Sequence, residues 1–142
     1  MIHGIGTDNI EVRRIKDIME KDNGFLTEIF TESEIAYCKK MNHQEEHYAA
    51  RFSAKEAFMK ALGTGWRFGI RFADIDVFHD ELGKPQIKLS GKAEEMVKKE
   101  GISSMHVSLS HTKSMATAFV ILEKNSVEHL KATIYNQQLI TI

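Results

Sequence analysis

The stretch from Arg51 to Gly65, RFSAKEAFMKALGTG, limits the fold more than any other part of the chain. Its spacing predicts a helix from about Gln44 to Leu62, closed by Gly63 as a cap. Successive residues turn by about 100°, which sets Ala50, Ala54, Ala57, Phe58 and Ala61 on one side. They are small, so a neighbouring element can come close. Ala49, Phe52, Glu56, Met59 and Lys60 share the opposite side. This helix therefore reads as buried on two faces, with a carboxylate and an amine in the middle of the second. An exposed Glu56–Lys60 pair at i,i+4 spacing, worth about 0.3–0.5 kcal/mol, accounts for the charges alone. A cleft or subunit interface, with Glu56 on a cation and Lys60 on an anion, also accounts for Phe52 and Met59 beside them.

Around this helix the pattern is α+β. Ile2 to Thr7 reads as a first strand ending at Asp8, and Val12, Ile15, Ile18 and Met19 form a helical stripe. Asn23-Gly24 breaks that helix, and Phe25 to Phe30 adds a turn or two. Thr31 and Glu34 stand at capping-box spacing before a helix from about Glu32 to Met41. After Gly65 the period changes. FADIDVF and the strand after DELGK predict a hairpin, followed by a short helix from Gly91 to Glu100. MHVSLSH and MATAFVIL predict two more strands joined by Thr112-Lys113-Ser114. Helices gather in the first half and strands in the second, so helices packing on a small antiparallel sheet is the expected architecture.

A chain of 142 residues fits one domain. Its net charge of −1 gives no overall field toward nucleic acid or a membrane, so any basic patch is local. One cysteine, Cys38, permits no internal disulfide, and its surroundings are not built to lower a thiol pKa. The first residues lack the pattern of a signal peptide, and no run reaches the roughly 18 apolar residues of a membrane helix. A soluble, cytoplasmic protein is the expectation.

Asp8 is either a turn residue or, with Glu56, one of two hard oxygen ligands. Two carboxylates are the modest set on which Mg²⁺ is held while phosphate oxygens and waters complete its shell. VSLSHT sets Ser108, Ser110 and Thr112 on one strand face, with His111 and Lys113 near its end. Such groups suit phosphate oxygens, or they are only the polar face of a half-exposed strand. LGTG is not a phosphate loop, because its glycines follow a helix C-terminus instead of opening a helix.

Taken in order, GIGTD at Gly4–Asp8, RFSAKEAFMKALGTG, GKPQI at Gly83–Ile87 and VSLSHTKSMATAFVI at Val107–Ile121 resemble the holo-[acyl-carrier-protein] synthases, the short class of 4′-phosphopantetheinyl transferases. The resemblance spans about Ile2 to Lys124. It implies the transferase fold over residues 1–124, with 125–142 as a C-terminal extension, and a homotrimer with sites between protomers. It also implies transfer of 4′-phosphopantetheine from coenzyme A to a serine of apo acyl carrier protein in fatty acid biosynthesis, releasing adenosine 3′,5′-bisphosphate. Asp8 and Glu56 would bind Mg²⁺, Lys60 would meet the CoA phosphates, and these three would be the catalytic set. Arg51, Gly63, Pro85, Ser110, His111 and Thr112 would lie around CoA. Arg13, Arg14, Ile18 and Lys21 would face the acidic carrier, although Gly24 stands where relatives often carry another basic residue. A non-catalytic CoA- or nucleotide-binding module of the same fold is the alternative, and a Mg²⁺-dependent phosphohydrolase a third.

Overall fold

A strand that runs directly into a helix opens the chain. In the computed structural model, which describes residues 1–21, 24–125, 131, 134 and 135, β1 spans Ile2–Glu11 and α1 Val12–Glu20. There follow α2 (Phe25–Ile29), α3 (Glu32–Lys39) and α4 (Gln44–Leu62). A short 3₁₀ turn at Phe72–Asp74 leads into β2 (Ile75–His79), β3 (Pro85–Leu89), α5 (Gly91–Lys99), β4 (Ile102–His111) and β5 (Met115–Lys124).

Strand β5 lies between β1 and β4, antiparallel to both, while β2 and β3 form a separate two-stranded sheet. Along β5, Ala116, Ala118, Val120 and Leu122 are buried and alternate with exposed Thr117 and Phe119. One face of the larger sheet thus covers the core, as a period of two requires. Helix α4 lies on that face. Its contact with β1 depends on Gly4 and Gly6, where a Cβ would overlap the carbonyl oxygens of Ala61 and Ala57. Small residues on both partners let strand and helix meet at backbone distance.

Helix α4 has the predicted limits, and Gly63, at φ 83°, ends it with its N–H shared between Met59 O and Lys60 O. The Thr31–Glu34 capping box also forms. Four expectations need correction. Asp8 is not at the end of β1, because pairing with β5 continues to Glu11 opposite Met115. Helix α3 stops at Lys39, and β4 begins at Ile102 instead of Met105. The second face of α4 is not an open stripe: Ala49 and Met59 are buried within the chain itself. From Tyr48 onward only Phe52, Glu56 and Lys60 escape full burial, one residue per turn along a single line. Most of the expected extension falls outside the described residues.

Candidate active site

The emergent line of α4 meets β1 at Asp8. This residue sits on the strand face that carries Gly4 and Gly6, so the close packing of β1 on α4 aims its carboxylate at the helix. Lys60 Nζ donates to Asp8 Oδ1 at 3.0 Å and to the Thr7 carbonyl at 3.0 Å. Glu56, one turn earlier, is held above the usual carboxylate range, first by burial and then by the negative charge of Asp8. Lys60 and a hydrogen bond from the Trp66 side chain oppose that rise. The three predicted catalytic residues are therefore one electrostatic unit. Beside them Phe52 stacks on Phe72 at 5.4 Å, and Trp66 meets Phe72 edge-on at 4.6 Å.

A carboxylate whose proton affinity is raised by burial and by a second carboxylate beside it is suited to a divalent cation, whose charge would offset that repulsion. Among the described residues no group of three or more His, Cys, Asp or Glu side chains gathers to ligate a metal. An ion held by Asp8 and Glu56 would need further oxygens from a substrate, which is how Mg²⁺ is commonly bound. The donor set fits.

The other flank of α4 is different. Arg51 and Lys60 are out of phase by about half a turn, and Arg51 faces the β4 side. A cavity of about 350 Å³ lies there, lined by Tyr37, His47, Arg51, His79, Leu109 and His111, with Gly83 at its edge. Arg51 is only 1% exposed, and its guanidinium lies 4.1 Å from the Tyr37 ring centroid. His111 approaches Glu46 at 3.5 Å and the His47 ring at 5.1 Å. Burial lowers the pKa of both His47 and His79, with His111 and then Arg51 adding to the first and Arg51 to the second.

Other predicted residues separate. Ser110 faces the outer side of the sheet, paired with Thr117 and away from His111. Ser108 and Ser110 thus share one strand face and His111 takes the other, as alternation along the strand predicts. Thr112 uses its hydroxyl to accept from the backbone N–H groups of Ser114 and Met115 in the β4–β5 turn. Pro85 opens β3. On α1, Ile18 lines a groove of about 160 Å³ with Met19, Phe25, Leu26 and Ile35, while Arg13 turns to a different depression beside Lys16 and Glu45. Arg14 and Lys21 are exposed. Burial pushes the Cys38 thiol up to about 11, which excludes a ready thiolate.

Residues 4–120 match the model of the 4′-phosphopantetheinyl transferase superfamily. The chain belongs to that superfamily. Among curated relatives, the holo-[acyl-carrier-protein] synthase of Geobacter sp. (strain M21) is 46% identical over 125 residues, covering 87% of this chain and all of that protein. Its counterpart from Syntrophus aciditrophicus is 49% identical over 124 residues, covering 87% of this chain and 97% of that protein. Among solved structures, the Neisseria meningitidis synthase superposes with a TM-score of 0.81 at 37% identity, over 87% of this chain and all of that one. The Bacillus anthracis synthase in complex with CoA (3′,5′-ADP) gives 0.74 at 38% identity, over 88% and 99%. The transferase fold, with its helices on an antiparallel sheet, is therefore shared along nearly the whole described chain. Sequence reasoning missed Trp66, His47 and His79. Trp66 carried a weak signal, a large aromatic just beyond the cap of α4.

Proposed function

We propose that the protein is a holo-[acyl-carrier-protein] synthase, moving 4′-phosphopantetheine from coenzyme A to a serine hydroxyl of apo acyl carrier protein. The serine oxygen attacks the phosphorus next to pantetheine, the bridging P–O bond breaks, and adenosine 3′,5′-bisphosphate leaves. The observation that carries this reading is the meeting of Asp8, Glu56 and Lys60 on one flank of α4 in a chain of this family. Asp8 and Glu56 are the residues that would hold Mg²⁺, whose charge would stabilise the diphosphate as the bridging bond breaks. Lys60 is half-exposed and makes two hydrogen bonds, so its ammonium can turn from Asp8 to a phosphate oxygen. Phe52, Phe72 and Trp66 form an aromatic cluster on the Glu56 side of this group. The nucleophile belongs to the carrier, so the chain needs none of its own.

Arg51 and His111 suit the nucleotide end of CoA, with Gly63, Pro85, Ser110 and Thr112 as further contacts. The body of α4 separates Arg51 from Lys60 within one chain, which supports a homotrimer whose sites form between protomers. The outer sheet face, with Ile5 53% and Phe119 46% exposed, offers an apolar surface for that assembly. Arg13, Arg14, Ile18 and Lys21 are assigned to the carrier. Residues 1–124 form the transferase domain, 125–142 an extension, and the setting is cytoplasmic fatty acid biosynthesis.

Intact mass spectrometry of apo carrier incubated with CoA, Mg²⁺ and the protein tests the proposal. The wild type is expected to add a phosphopantetheine mass, and Glu56→Gln to lose at least about a hundred-fold in rate while staying folded. An unmodified carrier would favour a CoA-binding module, and nucleotide release without carrier a hydrolase.

A further inference from the structure

Arg51 is a buried cation with unmet capacity. Its Nη1 donates to the His47 carbonyl at 3.4 Å and its Nη2 meets His79 Nδ1 at 3.3 Å, both long, while Nε is buried without a partner among the described residues. Among the described residues no carboxylate pairs with it, although Glu46 stands near His111 in the same region. A buried charge left this way favours the arrival of an anion. The contact with His79 has only one workable polarity. A guanidinium donates and never accepts, so His79 Nδ1 must carry the lone pair and Nε2 the proton. The His79 ring also stacks on Tyr37 at 5.5 Å and 20°. Arg51, Tyr37 and His79 therefore hold one another from α4, α3 and the end of β2.

We propose that His79 is a positioning residue for substrate: by accepting from Arg51 Nη2 it holds the guanidinium against Tyr37, oriented for an anionic group at the nucleotide end of CoA. This rests on the reading of the protein as a CoA-dependent transferase. The groups facing His79 are Arg51 and His47 from α4, Tyr37 from α3, His111 from β4 and the neighbouring Asp80; Asp80 alone favours its protonated form. Protonating His79 would remove the acceptor and set a second cation against Arg51. CoA recognition by the wild type should therefore weaken on the acid side.

The test uses the full chain as wild type, His79→Leu and His79→Asn. It measures kcat and KM for CoA between about pH 5.5 and 8, with calorimetric binding of adenosine 3′,5′-bisphosphate and a melting curve for each protein. His79→Leu should raise KM about ten-fold, as for one lost hydrogen bond to a charged group, with kcat nearly unchanged. His79→Asn keeps an oxygen acceptor at every pH. It should recover most of the affinity and lose the acid-side rise in KM. Should the leucine variant not fold, the asparagine profile decides alone. An active wild type with unchanged affinity in His79→Leu, or an acid-side rise retained in His79→Asn, would overturn the role of His79. A wild type that neither binds nor uses CoA would overturn the functional reading and this role with it.

Discussion

Two lysines little more than a turn apart on α4 each meet a carboxylate, and the pairs have opposite characters. Lys55 and Glu34 are fully buried, 2.6 Å apart. Lys55 also donates to the carbonyls of Ile29 and Phe72, and Glu34 accepts from the N–H groups of Thr31 and Val77. All three ammonium donors are used. This pair ties α4 to α2, α3, β2 and the 3₁₀ turn, and has nothing left for a ligand. Lys60, 52% exposed, makes only two hydrogen bonds among the described residues, beside a Glu56 whose charge is poorly compensated. Hydrogen-bond saturation marks the first pair as a clamp, and its absence in the second is what the proposed site requires.

Breaking the clamp should have the larger effect on the fold. Lys55→Met leaves the Glu34 charge buried and two carbonyls without donors, a loss of about 3–5 kcal/mol in urea unfolding. A loss below about 1 kcal/mol would erase the distinction between the pairs. Lys60→Met removes an exposed pair and should change stability by about 0–1 kcal/mol, while turnover falls at least about ten-fold. A large loss of stability there would make Lys60 a second clamp and weaken its assignment to phosphate.

The same contrast shows what the sequence could and could not reveal. Local signals carried far. The alanine stripe and Gly63 set the limits of α4, Thr31 and Glu34 announced α3, and alternation marked β5. Asp8 read locally as a turn residue ending the first strand, yet pairing with β5 carries the strand past it to Glu11, because ladder hydrogen bonds outweigh a weak turn preference. Lys55 gave no local sign of burial. Its partner Glu34 lies on a different helix, and only the fold brings the two together. His79 is similar: a histidine ending a strand is uninformative until Arg51 and Tyr37 surround it. Asp8 and Glu56 were legible as a pair because family resemblance supplied the long-range contact that spacing alone did not.

The sign of the Glu56 titration follows from its surroundings. Its folded pKa is raised, so its contribution to stability is complete below the unfolded value and is lost as pH rises through the folded one. Ionised Glu56 is thus a small cost to the fold, one that a shared cation would relieve. Carboxyl-carbon NMR titration of Glu56, with and without Mg²⁺, observes that relief directly. The expected result is an apparent pKa above the usual glutamate range, brought down both by Mg²⁺ and by Asp8→Asn. A Glu56 pKa indifferent to the ion and to loss of Asp8 would mean that the two carboxylates do not share a site.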